Sequence, residues 1–217
     1  MPVAAVIFDM DGVIMDSEEY WWEERSALAQ QYGAEWLPDD QRHTMGTSTH
    51  EWALYMKERM GLEMSPDEIG DLMVARVSAR VAAHLPVLPG AVEAARIAGS
   101  AYPVALASGS ATPIIEGVMR VTGLDQVFQV IVGGDSVTHG KPDPEIYLLA
   151  ADRLNCRPAE MLVLEDSQNG CRSAVAAGAI VVAVPGGHSR RHDFSGAALL
   201  AESLADPRIY QVLGLPG

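Results

Sequence analysis

Six apolar residues, Val3-Ala4-Ala5-Val6-Ile7-Phe8, stand directly before Asp9-Met10-Asp11-Gly12-Val13, with Asp16 just beyond. An unbroken apolar run that stops at a turn signal reads as a strand buried on both faces, the usual state of a central parallel strand with helices on either side. Asp9 follows the last apolar residue, so its carboxylate emerges at the carboxyl end of the strand, where open α/β sheets place their ligands. Asp11 is two residues on. In near-extended chain that spacing points both side chains the same way, and Gly12 lets the backbone turn sharply away. Two carboxylates held close repel unless a cation or a shared proton intervenes, so the pair implies a metal or one raised pKa. The same run also suits a plain strand-to-loop turn, and the rest of the chain has to decide.

From Asp16 to about Leu85 the pattern is helical. Asp16 and Glu19 have capping-box spacing, as do Ser48 and Glu51, while Ser65-Pro66-Asp67-Glu68 combines an N-cap, Pro at the first helical position and a box Glu. Gly33 and Gly61 are stop signals. From Leu85 onward strands and helices alternate: strands at Val104–Ala107, Val127–Val132, Met161–Leu164 and Ile180–Val184, with helices opening at Thr112-Pro113, Asp143-Pro144 and Ser167. Strict alternation implies an α/β fold, a Rossmann-like doubly wound parallel sheet with right-handed crossovers. The expected division is a core formed by residues 1–15 and 86–217, with a small all-helical cap, residues 16–85, inserted after the first strand.

Composition narrows the function. At 217 residues the chain can bury a substantial core, and its net charge is −14, with 15 Lys and Arg against 29 Asp and Glu. That balance argues against a nucleic-acid or anionic-membrane surface, which needs clustered basic residues, but leaves room for a small phosphorylated molecule in a locally positive pocket. Cys156 and Cys171 lack C-x-x-C spacing, no leader-like or membrane-spanning run is present, and a cytoplasmic protein with reduced thiols is expected. A monomer is the default expectation, since nothing in the sequence sets an oligomeric state. The six histidines show no metal spacing, and His188 and His192, beside Arg190 and Arg191, read as a solvated loop.

Three further segments carry polar groups where the first strand carries Asp9 and Asp11. They are Ser108-Gly109-Ser110, Gly140-Lys141-Pro142-Asp143-Pro144 and Glu165-Asp166-Ser167. Parallel strands present their carboxyl ends on one edge, so these groups can converge. Acidic oxygens from Asp9 and Asp166, with Glu165 as a further candidate, suit Mg²⁺. Ser108, Gly109 and Ser110 can offer donors to phosphate oxygens, and Lys141 can offset charge on phosphate and carboxylates alike. Singly, each motif has a bland explanation as a cap, a turn or a surface charge; together they would need four coincidences at four strand ends.

In this order, Asp9-x-Asp11-Gly12-Val13, Ser108, Lys141-Pro142-Asp143-Pro144 and Glu165-Asp166 resemble the four motifs of the haloacid dehalogenase superfamily. The helical segment after the first motif resembles the C1 cap of the subfamily that includes β-phosphoglucomutase and many sugar-phosphate phosphatases. The resemblance implies Asp9 as nucleophile, Asp11 as general acid and base, and Ser108 and Lys141 as their catalytic partners. It also implies Mg²⁺ held by Asp9, Asp11 through its backbone carbonyl, Asp166 and, directly or at one remove, Glu165. Dehalogenases and phosphonatases of the superfamily differ from this chain at Asp11, so phosphoryl transfer is expected. The β-phosphoglucomutases have His where this chain has Trp21 and a cap-loop Arg within the segment that reads Gly46-Thr47-Ser48-Thr49 here; Arg76 is a candidate replacement. A phosphatase acting on a sugar or polyol phosphate is therefore the expected activity, with a phosphosugar mutase as the alternative and a non-catalytic phosphometabolite-binding protein as the third reading. Trp21, Gly46, Thr47, Ser48, Thr49 and His50 are the expected substrate-facing cap residues, although Trp21 equally suits the interior of the cap.

Overall fold

The computed structural model describes residues 3–187 and 189–215, so His188 lies outside the described residues. Six strands form one parallel sheet: β1 (Ala5–Phe8), β2 (Val104–Ala107), β3 (Val130–Val132), β4 (Met161–Glu165), β5 (Ile180–Ala183) and β6 (Leu199–Leu200). Their order is β3-β2-β1-β4-β5-β6, so the first strand of the chain lies at the centre. Because strand side chains alternate, each central strand divides its apolar residues between two faces. Val6, Phe8, Leu106, Leu162 and Leu164 face one cluster; Ala5, Ile7, Ala105, Ala107 and Val163 face the other. Among the helices that cover the sheet, α7 (Glu145–Arg153) and α8 (Gln168–Ala176) pack on the second face, while α5 (Ala91–Ala101), α6 (Thr112–Thr122) and α9 (Pro207–Leu213) pack on the first. Burying a large apolar side chain stabilises by roughly 1.5–3 kcal/mol, and Ile7, Phe8, Leu106 and Ile114 are all at most 1% exposed.

Between β1 and α5 the chain forms α1 (Glu18–Gln31), α2 (Pro38–Thr44), α3 (Thr49–Met60) and α4 (Pro66–Ala83). The Ser48/Glu51 and Ser65/Glu68 capping boxes are both formed. The Asp16/Glu19 box is not. The N-cap of α1 is Ser17, which makes no capping bond because its hydroxyl donates instead to Asp11 Oδ1. Trp21, Trp52, Met56, Ile69, Met73 and Val77 from the insertion join the same apolar cluster as Phe8 and Ile114, and α4 packs against α6. The two linkers run side by side. Asp16 N donates to Pro86 O at 2.9 Å, Leu88 N donates to Ile14 O at 2.9 Å, and Met15 pairs antiparallel with Val87.

Three further differences from the sequence expectation have local causes. The strand expected from Val127 begins at Val130, because Leu124–Gln126 winds as a 3₁₀ turn that Val127 closes. The elements α2, β6 and α9 are short segments without the periodicity that marks longer ones. His192 is partly buried, its Nδ1 accepting from Gln168 N at 3.4 Å, so it is not simply solvated.

Candidate active site

The carboxyl ends of β1, β2 and β4 and the loop after β3 meet at one edge of the sheet, beneath the helical insertion. Lys141 is their electrostatic centre. Its ammonium donates to Asp9 Oδ1 at 2.7 Å, Glu165 Oε1 at 2.6 Å and the Ala107 carbonyl at 3.2 Å, which uses all three of its protons. The side chain is 2% exposed. Burial alone would lower its pKa, but the Asp9 and Glu165 carboxylates outweigh burial and hold it well above the ordinary lysine value.

Glu165 is saturated with donors. Oε1 accepts from Lys141 and from Tyr147 Oη at 2.8 Å, and Oε2 accepts from Ser167 N and Oγ, both at 3.0 Å. Burial pushes its pKa up, yet Lys141 and these hydrogen bonds bring it below the usual carboxylate range. There is no room beside it: a Cβ on Gly170 would sit 1.7 Å from Oε1. Glu165 is thus a fixed anion that aims Lys141.

Asp9 and Asp166 are differently placed. Burial, opposed by Lys141 but reinforced by Glu165 and Asp11, pushes the Asp9 carboxyl up to about 8. Asp166 is held well above the usual range by burial and by Glu165, Asp9 and Glu18, with one hydroxyl, Ser189 Oγ, donating to it at 3.1 Å. Carboxylate oxygens of Asp9, Glu165 and Asp166 lie within 4.8 Å of one another. Three buried acids lie together and the one lysine among them is bonded to only two, Asp9 and Glu165, so the cluster lacks positive charge. Hard oxygen donors with that deficit fit Mg²⁺; Asp9 and Asp166 would hold such an ion, and Glu165 would act through Lys141 and Ser167. Gly12 allows this closeness: its φ is +82°, and a Cβ there would lie 2.3 Å from the Asp166 carboxylate.

Asp11 faces hydroxyls rather than cations. Oδ2 accepts from Ser110 Oγ at 2.8 Å and Ser108 Oγ at 3.1 Å, and Oδ1 accepts from Ser17. Ser108 is fully buried, and its Oγ also accepts from Ser110 N at 3.0 Å. It therefore positions Asp11 and Ser110 from behind the site.

A cleft between insertion and sheet edge gathers Asp9, Asp11, Trp21, Gly46, Thr47, Thr49, Gly109, Ser110, Lys141 and Asp166, all expected from the sequence. Ser48, expected to face substrate, does not line it; its hydroxyl is engaged with Glu51 at the start of α3. His50 is exposed beside Asp67, and Arg76 is paired with Glu24, so neither reaches the cleft. Trp21 both packs and lines: it is 7% exposed and meets Trp52 edge-on at 5.5 Å between ring centroids. The loop at Gly46 and Thr47 closes directly over Gly109, whose Cβ would lie 3.3 Å from both of their carbonyl oxygens, and Asn169 Nδ2 donates to Met45 O at 3.1 Å.

Ser167, part of a segment expected at this edge, also lines the cleft, whereas sequence reasoning missed Glu18, Arg25, Thr44, Met45, Trp52 and Ala111 there. One signal was available for Arg25. It stands four residues after Trp21 on α1, on the same helical face.

With this geometry in view, similarity to known proteins is informative. The haloacid dehalogenase-like hydrolase family matches residues 3–178. The chain is 37% identical over 176 residues to a phosphorylated carbohydrates phosphatase of Thermotoga maritima, covering 80% of this chain and 81% of that one. Its fold is similar to that of CbbY from Rhodobacter sphaeroides in complex with phosphate, with a TM-score of 0.83 at 27% identity over 94% of this chain and 95% of that one. It is also similar to a putative β-phosphoglucomutase from Thermotoga maritima, with a TM-score of 0.69 at 31% identity over 98% and 97% of the two chains. The motif residues, the parallel sheet and the family match agree: the chain belongs to the haloacid dehalogenase-like hydrolases.

Proposed function

We propose that this protein is a Mg²⁺-dependent phosphatase that hydrolyses a small phosphate monoester, of a sugar or polyol, through an aspartyl-phosphate on Asp9. The observation that carries this reading is the sharing of Lys141 between Asp9 and Glu165, with Asp166 beside them and Asp11 facing a separate set of hydroxyls. The likeness to the phosphorylated carbohydrates phosphatase supports the substrate class.

In the first step an Asp9 oxygen forms a bond to phosphorus as the bond to the leaving oxygen breaks, and Asp11 gives its proton to that oxygen. In the second, Asp11 takes a proton from water as the water oxygen bonds to phosphorus, which releases phosphate and restores Asp9. Mg²⁺, when bound by Asp9 and Asp166, supplies positive charge for the phosphoryl oxygens and keeps Asp9 ionised. Lys141 holds the attacking carboxylate in place. The Ser110 hydroxyl now faces Asp11 and can rotate to donate to a phosphoryl oxygen, whereas Ser108, expected from the sequence to make such a contact, is buried outside the cleft and holds Asp11 and Ser110 from behind. Trp21 and Trp52 exclude water from the side of the leaving group.

The test is phosphate release with Mg²⁺ from a panel of phosphorylated sugars, polyols and small acids, including β-glucose 1-phosphate, with Asp9→Asn as the control. Release that requires Mg²⁺ and disappears in Asp9→Asn is expected. Conversion of β-glucose 1-phosphate to glucose 6-phosphate would make the protein a mutase, a reading favoured by its fold neighbour, and silence across the panel would leave a binding protein.

A further inference from the structure

Arg25 is unusual among the cap arginines. Arg42 pairs with Asp39, Arg59 with Asp40, Arg76 with Glu24, and Arg80 with Glu23 and Glu24. Among the described residues Arg25 forms no ion pair, although it is the most deeply buried of the five, at 4% exposure. Its guanidinium lies 4.8 Å from the centre of Trp21, 5.6 Å from Trp52 and 5.9 Å from Trp36. Its one hydrogen bond goes from Nη1 to Gln41 Oε1 at 3.1 Å, and Nε has no partner. Gln41 Oε1 also accepts from Trp36 Nε1 at 3.0 Å, and Gln41 Nε2 donates to Glu18 at 2.8 Å, so Gln41 is fixed from three sides.

Burying a cation without a bonded anion is costly, and indole faces recover only part of the loss. Burial does pull the Arg25 pKa down, to about 10, with Glu18 and Asp11 acting the other way, so it remains charged at neutral pH. Arg25 lines the same cleft as Asp9, Asp11 and Asp166 but belongs to the insertion, whereas Lys141, the cation of the sheet edge, already has its three protons engaged. The fork of Arg25 is the cleft's only other cationic group among the described residues, and a planar guanidinium suits carboxylate or phosphate oxygens.

We propose that Arg25 recognises a second anionic group on the leaving portion of the substrate, a carboxylate or another phosphate, distal to the phosphoryl group that is transferred. The substrate is then a phosphorylated sugar acid or a bisphosphate rather than a neutral sugar phosphate. This rests on the phosphatase reading for its turnover arm only.

Two measurements test it. In the first, phosphate release is compared for glucose 6-phosphate, 6-phosphogluconate and fructose 1,6-bisphosphate in the wild-type protein, Arg25→Lys and Arg25→Met. One of the two doubly anionic compounds is expected to exceed glucose 6-phosphate at least tenfold in kcat/KM, which identifies carboxylate or phosphate as the group read. Arg25→Met is expected to remove that preference, and Arg25→Lys to retain part of it. No preference in the wild-type protein, or one that survives in Arg25→Met, overturns the proposal.

The second measurement needs no turnover and leaves Arg25 intact. Three of the four tryptophans surround this guanidinium, so indole fluorescence reports on a ligand that reaches it. Titrating the three compounds into Asp9→Asn with Mg²⁺ is expected to give a dissociation constant at least tenfold lower for a doubly anionic compound than for glucose 6-phosphate. Equal constants overturn the proposal even if Arg25→Met fails to fold. Tight, Arg25-dependent binding with no phosphate released from any compound would sustain the role of Arg25 and refute the phosphatase reading instead.

Discussion

Replacing Lys141 by Met isolates what the buried lysine does, because Met has a similar length and leaves no large void. The substitution removes hydrogen bonds of 2.7 Å to Asp9, 2.6 Å to Glu165 and 3.2 Å to the Ala107 carbonyl, in a place where the lysine is 2% exposed. Removing one partner of a buried ion pair leaves an uncompensated charge and costs about 3–5 kcal/mol. For a chain of this length each kcal/mol lowers Tm by roughly 2–4 °C, so a fall of about 6–20 °C is expected. The cost has a defined pH dependence. With Lys141 present, the folded-state pKa of Glu165 lies below its ordinary value, and the associated stability is present above that value and lost as pH falls. Without it, burial is opposed only by Ser167 and Tyr147, the folded-state pKa rises, and stability is lost as pH increases. The deficit of Lys141→Met is therefore smallest near about pH 4 and grows towards about pH 7. Urea unfolding with EDTA, at a series of pH values, measures it. A deficit below about 1 kcal/mol, or one independent of pH, would refute the view that Lys141 holds Glu165 as a buried anion.

Metal-free wild-type protein should lose stability as pH rises from about 4 to about 8, because the Asp9 pKa is raised to about 8 by burial and neighbouring acids; Asp9→Asn should flatten that slope in thermal melts with EDTA. Gly12→Ala combines a φ of +82° with a Cβ 2.3 Å from Asp166, so the carboxylate must move; the Mg²⁺ concentration giving half-maximal phosphate release should rise at least tenfold, and an unchanged value would show that Asp166 does not hold the ion. Ser48→Ala removes the N-cap of α3 and should cost about 1 kcal/mol in urea unfolding without altering KM, as its hydroxyl is committed to Glu51. Asn169→Ala removes the hydrogen bond to the Met45 carbonyl, and a rise in KM larger than any fall in kcat would show that this contact holds the cleft closed.

Much of the core and of the polar edge that carries the candidate site is legible in the amino-acid sequence alone. Strands β1, β2 and β4 stand out as apolar runs, and each is followed at once by the polar residues it delivers, so alternation suffices to place Asp9, Ser108 and Asp166 at one edge. The division of labour between Glu165 and Asp166 is not legible there. Adjacent residues at a strand end point to opposite sides, and only the packing of Gly170 and Tyr147 shows which carboxylate is saturated. The cap reads as helices but not as a surface. Arg25 on an α-helix resembles a solvated cation until α2 brings Gln41 and α3 brings Trp52 against it. The capping signal in the sequence falls on Asp16 and Glu19, and only the turn after β1 shows that Ser17 is the N-cap and that Asp11 takes its hydroxyl.

The paired linkers at Ile14–Asp16 and Pro86–Leu88 bear on how the chain folds. Strand β1 pairs with partners distant in sequence: Val6 with Val104 of β2, and Ala5 with Met161 of β4. An unstructured intervening chain of that length would carry a large closure entropy, and such long-range pairings slow folding. An insertion whose two ends already touch shortens the effective separation to little more than a hairpin plus α5. With their ends joined in this way, the helices hold β1 and β2 within reach of each other, which lowers the closure entropy of that pairing.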